Sequence, residues 1–280
     1  MAVMRNILLL GASGFLGREL ARRLRDGHRL TGTYHNHPDA NGSIPFDIFQ
    51  DSSGQIAGDD HDLVICCARL FDPQVDAGAD KPKREQALLH NLRRWSQRRV
   101  VLISTDAVFS GRDGNYAESA AREPGTAYGQ RMRWVEDRFA EEVRAHCIVR
   151  CSYLYGYSAG RLDKRLADSL QRLDSGASIE FFDDMYKSPM AVGQTADAVC
   201  KLALSDVSGA VHVAGPRMSV YEFQRQALAV LGADATRVRA TAMPAGSTLP
   251  RDTSLDSGLM RRLTGVIPDD VTHSLAPRSP

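Results

Sequence analysis

The sequence predicts an α/β protein, a doubly wound parallel sheet that carries a smaller, interleaved C-terminal lobe. Three observations predict it. Short apolar runs alternate with amphipathic helical patterns, and a glycine-rich turn joins the first run directly to the first helix. Two further apolar runs, Cys147 to Leu154 and Val211 to Ala214, return late in the chain to complete the sheet. With 280 residues, 43% of them hydrophobic, the chain can bury a large core. A formal net charge of +1 and a pI near 7.7 give no overall bias toward nucleic acid or an anionic membrane. Cys66, Cys67, Cys147, Cys151 and Cys200 form no CxxC pair and read as reduced, packed thiols of a cytoplasmic protein. No apolar window is long enough to span a membrane, and no metal is expected.

Taken in order, Asn6 to Leu10 is a buried strand that enters Gly11-Ala-Ser-Gly14-Phe-Leu-Gly17, and a helix pattern follows from Phe15 to Leu24. Strand, glycine turn and helix together form a phosphate cradle, because backbone amides and the helix N-terminus face a pyrophosphate there. This is the Rossmann-type arrangement. The second strand, Arg29 to Tyr34, ends in Thr33-Tyr34-His35-Asn36-His37 with no acid to accept from a ribose 2'-hydroxyl, which favours NADP(H) and leaves NAD(H) admissible. Ile44 to Ile48 gives a third strand ending at Asp47, whose carboxylate can meet an adenine amine. His61 to Ala68 gives a fourth, followed at once by Arg69.

Lys83 to Arg98 has apolar residues at helical spacing beside a basic, solvated flank. Val100 to Ile103 is the next strand and delivers Ser104-Thr105-Asp106 to the carboxyl edge of the sheet. A turn-rich loop from Val108 to Thr126 can wall a substrate, and Tyr128 opens a helix running to about Val143. A strand-end hydroxyl, Ser104 or Thr105, and a tyrosine one loop later make a proton-handling pair. A phenol with an ordinary pKa near 10 usually needs a fixed cation beside it to act near neutrality. Lysine four residues along the helix would supply that cation, yet the residue is Met132.

These residues carry a resemblance to the extended short-chain dehydrogenase/reductases, and within them to the dTDP-4-dehydrorhamnose reductases and their sugar-nucleotide-binding relatives. GASGFLG, PFDI, STDAVFSGRDGNYAE, YGQRM, IVRCSYLYG, FFDDMYKSPMAVGQTADAV, GAVHVAGPRMSVYEF and LPRDTSLDSGLMRRLTG occur in family order from residue 6 to about 265. The resemblance implies that Gly11, Ser13, Gly14, Phe15, Leu16 and Gly17 hold the pyrophosphate, and that Asp47 and Ile48 meet the adenine. It implies that Cys67, Ala68 and Arg69 line the cofactor, that Tyr128 is the proton donor and that Thr105 tunes it. Asp106, Tyr153 and Arg251 fall at substrate positions, Arg251 with the alternative of an ion pair that holds the lobe. Met132 stands at the cofactor-contacting position that the family fills with lysine.

Residues 1–155 are then a nucleotide-binding domain completed by about 190–215, with 156–190 and 216–267 forming the substrate lobe and 268–280 a mobile tail. The resemblance implies an NADP(H)-preferring reductase of a carbonyl in a nucleotide-linked deoxysugar, with a homodimer as the association common in the family. Arg131 lies three residues after Tyr128 and can swing into the place of the lysine, with Arg133 less well aimed. Two other readings stay open: an enzyme that asks less of its tyrosine, and a catalytically impaired homologue that binds NAD(P) and serves a partner protein.

Overall fold

The computed structural model describes residues 3–38, 42–50, 56, 60–76 and 78–276. Its centre is a parallel sheet of β1 (Asn6–Leu10), β2 (Arg29–Tyr34), β3 (Ile44–Pro45), β4 (Leu63–Cys66), β5 (Arg99–Thr105), β6 (Ala145–Cys151) and β7 (Gly209–Val213). These lie side by side in the order β7-β6-β5-β4-β1-β2-β3. The order reverses on either side of β1, where a doubly wound sheet opens its ligand crevice. The helices are α1 (Phe15–Leu24), α2 (Lys81–Arg94), α3 (Ala127–Glu142), α4 (Lys164–Asp174), α5 (Val192–Leu204), α6 (Val220–Val230), α7 (Gly258–Thr264) and α8 (Val271–Leu275).

Strand alternation divides the core into two layers. Ile7, Leu9 and Val101 pack with Leu20 and Leu24 of α1, Val199 of α5 and Met260 of α7. Leu8, Leu10, Val100 and Leu102 pack with Leu88 and Leu92 of α2 and Val135 and Phe139 of α3. Both faces of the sheet are therefore covered, which explains why β1 and β4 read as continuous apolar runs. A third cluster, with Tyr155, Leu166, Ile179, Phe223, Leu228 and Val238, is the separate core of the lobe. Asp163 caps α4 by accepting from the Leu166 amide at 3.2 Å, and Ser219 with Glu222 closes a capping box on α6.

Several sequence-based boundaries move by two to four residues, as where the fourth strand is Leu63–Cys66 and the strand expected from Cys147 is Ala145–Cys151. Tyr155 joins the lobe core, and three further shifts change what the chain packs against. The third strand stops at Pro45, because the Asp47 carboxylate accepts from the Phe49 amide at 2.9 Å and turns the chain. The turn tucks Phe46, Ile48 and Phe49 into the second core layer. Residues 258–264, expected in the lobe, form α7, whose Met260 is buried in the first sheet layer. Residues 271–275, expected in a mobile tail, form α8; Asp270 caps it at 2.7 Å, and Val271 and Leu275, one turn apart, enter the lobe core. Residues 277–280 of that expected tail lie outside the described residues.

Candidate active site

The turn after β1 is built for close approach. A Cβ on Gly17 would stand 2.0 Å from the Gly11 carbonyl oxygen, and Gly11 has φ +80°, so strand end and helix start meet with no side chain between them. Thr33 at the end of β2 pins the turn: its carbonyl accepts from the Ala12 amide at 2.8 Å and its hydroxyl from the Gly11 amide at 3.2 Å. Arg18 donates to the Ser13 carbonyl at 2.7 Å. α1 starts at Phe15 after Gly14 as its N-cap, with no side-chain cap and no acid in its first turn, so its N-terminal amides are left for an anion. This cradle fits the pyrophosphate of a dinucleotide. Gly11, Ser13, Gly14, Phe15, Leu16 and Gly17 all lie on it.

Other expected cofactor residues border the same edge. Asp47 accepts from the Gln50 side chain at 3.1 Å, and His35 stands 3.5 Å from its carboxylate. Cys67 and Ala68 follow β4 directly beneath Gly11, where a Cβ on that glycine would lie 2.9 Å from the Cys67 carbonyl oxygen. Burial pushes the Cys67 thiol up to about 12, so it packs as a neutral thiol. Arg69 is exposed and donates to the Phe71 carbonyl at 2.9 Å. Phe71 meets the Tyr128 ring edge-on, with centroids 5.5 Å apart.

Tyr128 is positioned by the residue after it. A Cβ on Gly129 would lie 2.0 Å from the Ala107 carbonyl oxygen, so glycine lets α3 seat its first turn on the Asp106–Val108 turn at the end of β5. Thr126 caps the helix by accepting from the Gly129 amide at 3.0 Å. Tyr128 and Thr105 are thereby brought together. Burial pushes the phenol above its ordinary value; the Thr105 hydroxyl pulls it back, Asp106 and Cys151 raise it further, and Arg69 lowers it. Solvent reaches 40% of the residue, so screening moderates that upward push.

Asp106, 5% exposed, is the most heavily partnered group of the site. Its Oδ2 accepts from Ser152 at 2.9 Å, from Lys187 Nζ at 2.9 Å and from Thr253 at 2.7 Å. Lys187 Nζ also donates to the Thr253 hydroxyl at 2.6 Å. The second oxygen, Oδ1, accepts from the Thr105 hydroxyl at 3.2 Å. Ser152, Lys187 and Thr253 lie inside motifs that carried the resemblance, yet only their meeting at Asp106 gives them a place in the site.

Ser104 goes elsewhere. Alternation along β5 points it, with Val100 and Leu102, toward α3, and its hydroxyl donates to Glu136 at 2.6 Å. Glu136 is fully buried and also receives Arg150, at 2.9 and 3.0 Å, and Arg122, at 3.1 Å. The expectation of Ser104 as a second catalytic hydroxyl is corrected accordingly: it belongs to this ionic cluster.

The expected rescue by Arg131 is corrected as well. Its guanidinium is 2.7 Å from Glu85 and 3.3 Å from Asp76, and it lies 4.3 Å from the Trp134 ring centroid. These contacts hold it against α2, and its side chain is only 4% exposed. Arg133 lies on the exposed side of α3. Met132 is 3% exposed and packs in the second core layer with Val108, Phe109 and Val135. The vacated cation position is thus filled by core.

In the lobe, Tyr153 stacks under Arg165 at 3.5 Å, accepts from Gln224 at 3.2 Å and packs on Phe223. Arg251 is exposed and pairs with Asp184 at 2.7 Å, which is the lobe-holding alternative. The loop after Val108 is organised by Tyr116, whose hydroxyl accepts the amides of Gly111, Arg112 and Asp113 at 3.0 to 3.2 Å. The Tyr116 amide also donates to the Ser254 carbonyl at 2.9 Å, so this loop holds the segment that delivers Thr253.

Comparison with known proteins decides the family: the RmlD substrate binding domain family matches residues 4–277, nearly the whole chain. The chain belongs to it. A probable dTDP-4,6-dihydroxy-2-methyloxan-3-one 4-ketoreductase of Streptomyces antibioticus is 27% identical over 246 residues, covering 84% of this chain and 80% of that protein. A hypothetical dTDP-4-dehydrorhamnose reductase of Sulfolobus tokodaii superposes with a TM-score of 0.80 at 25% identity, over 97% of this chain and 100% of the other. The dTDP-4-dehydrorhamnose reductase of Bacillus anthracis, solved in complex with NADP, gives 0.77 at 21% identity, over 98% and 97% of the two chains. The protein is therefore a dTDP-4-dehydrorhamnose reductase-like member of the short-chain dehydrogenase/reductases. Among the described residues no helix is long and apolar enough to cross a membrane, and none form a metal-binding cluster.

Proposed function

We propose that the protein is a nicotinamide-dependent reductase of a carbonyl in a nucleotide-linked deoxysugar, with NADP(H) preferred. The observation that carries this reading is the meeting of Thr105 and Tyr128 at the carboxyl edge of the sheet, one strand away from the glycine cradle of β1 and β4. The glycine cradle of Gly11, Gly14 and Gly17 would hold a nicotinamide cofactor, which would supply the hydride for the carbonyl carbon. As the carbonyl bond pair moves onto its oxygen, Tyr128 gives that oxygen its phenolic proton, and the phenolate is stabilised by the Thr105 hydroxyl. The open side of Tyr128 lets solvent return the proton. Asp106 at the sheet edge, fixed by three donors, and Tyr153 on the lobe side, fixed by Arg165 and Gln224, border the substrate.

The preference for NADP(H) rests on the end of β2, which carries Tyr34, His35, Asn36 and His37 in place of an acid. The test is a titration with NADPH and NADH by nicotinamide fluorescence, followed by addition of dTDP-4-keto-6-deoxyglucose. Tighter binding of NADPH, with its oxidation on adding the sugar nucleotide, is expected. Binding without oxidation would favour the partner-serving homologue, and failure of both cofactors to bind would overturn the reading.

A further inference from the structure

The helix that carries Tyr128 offers it no cation, since Met132 is packed in the core and Arg131 is committed to Asp76 and Glu85. The groups that bear on the phenol are Thr105, Asp106, Cys151 and Arg69. Asp106 is the difficult neighbour. A buried carboxylate beside the phenol opposes formation of a phenolate, and it competes for the single proton of Thr105, whose oxygen is 3.2 Å from Oδ1. In the structure that proton goes to Asp106 Oδ1, and a phenolate on Tyr128 would be a second acceptor for it.

We propose that Lys187 is the positioning residue that stands in for the missing helix cation: by drawing the charge of Asp106 onto Oδ2 it weakens the hold of Oδ1 on the Thr105 hydroxyl, which can then turn to the Tyr128 phenolate as it forms. This rests on the reductase reading above for its catalytic meaning, but not for its geometry. Lys187 reaches Asp106 Oδ2 at 2.9 Å and Thr253 at 2.6 Å, and Thr253 and Ser152 donate to the same oxygen. The ammonium neutralises the carboxylate, and three donors on one oxygen reduce the hold of Asp106 on a fourth. Lys187 comes from the lobe, 81 residues along the chain from Asp106. The cation that the helix lacks is thus delivered across the domain boundary, through Asp106 and Thr105 instead of by direct contact.

Two measurements on Lys187→Met and Lys187→Arg test this in the full-length protein. In the first, the protein is labelled with 13Cζ-tyrosine, Tyr128 is assigned with Tyr128→Phe, and the phenolate fraction is read at pH 10.5 without cofactor or substrate. Lys187→Met should lower that fraction at least about fivefold, and Lys187→Arg should restore most of it. Equal fractions in wild type and Lys187→Met, zero in both included, would overturn the proposal. Because no substrate is present, this result stands apart from success or failure of the reductase reading. In the second, turnover of NADPH with dTDP-4-keto-6-deoxyglucose should fall about 100-fold in kcat for Lys187→Met, with rescue by Lys187→Arg. A loss confined to the KM of the sugar nucleotide would make Lys187 a substrate contact and overturn the positioning role. Should Lys187→Met not fold, Lys187→Gln serves in both measurements with the same expectations.

Discussion

Two ionic clusters grow from neighbouring residues at the end of one strand, and they are built for different ends. Ser104 points toward α3 and joins Glu136, Arg150 and Arg122. Asp106, two residues on, turns out of the strand and joins Lys187, Thr253 and Ser152. In the first cluster Glu136 is fully buried and Arg150 nearly so, and every carboxylate oxygen is met by donors from elements of the sheet domain. In the second, Lys187 comes from the lobe; its side chain is 26% exposed, close to the 28% of Arg122 in the first. The closed cluster ties the fold together, whereas the open one borders the Tyr128 phenol, to which the proposed reaction assigns the proton. Origin in the chain and nearness to the phenol, more than burial or residue type, distinguish the two clusters.

The comparison is broken most sharply at Glu136. Glu136→Gln strips the buried Arg150 of its carboxylate, while Arg122 keeps Asp137 at 2.7 Å, and should cost about 3–5 kcal/mol in denaturant unfolding, since breaking a buried pair strands the remaining charge. Folded variant should retain the pH profile of turnover, because Glu136 does not touch Tyr128 or Asp106.

Arg131→Ala comes next. It strands Asp76 and removes the stack on Trp134, for an expected loss of about 2–4 kcal/mol. Per folded molecule, kcat should be unchanged; a large drop in kcat at normal stability would revive Arg131 as the substitute for lysine.

The closed cluster also predicts a pH dependence of stability. His212 accepts from Arg150 at 3.3 Å and its Nδ1 faces the Asp256 carbonyl at 3.2 Å, and burial, then the Arg150 charge, lower its pKa from 6.5 to about 4. The unfolded chain therefore binds a proton there more readily than the folded one. Stability from this group is complete above pH 6.5 and is lost as pH falls toward 4, up to about 3 kcal/mol in total. Unfolding measured from pH 7 to 4 should show that slope, and His212→Gln should flatten it.

What could be read from the sequence followed from local rules. The β1 run, the glycine turn and the start of α1 at Phe15 are contiguous, so their pattern specified them completely. Tyr128 and Thr105 were legible because a strand end and a helix start are also local features. Period-two alternation was in principle enough to put Ser104 on the opposite face from Thr105, and Asp270 followed by Val271 and Leu275 one turn apart was enough to mark α8. The meeting of Asp106 with Ser152, Lys187 and Thr253 was not legible, since it spans separations of 46, 81 and 147 residues with nothing local to announce it. The same holds for Arg131, whose fate was decided by Asp76 and Glu85 across a helix interface.

The central claim is that the strand end assigns Thr105 and its phenol to chemistry and Ser104 to the fold. Its most direct test is NADPH oxidation and thermal unfolding measured side by side for Tyr128→Phe and Ser104→Ala. Tyr128→Phe should lower kcat by about 100-fold or more with Tm nearly unchanged, while Ser104→Ala should keep kcat within about threefold and lose about 1 kcal/mol of stability. Unchanged turnover in Tyr128→Phe, or a catalytic loss in Ser104→Ala as large as that expected for Tyr128→Phe, would contradict the account.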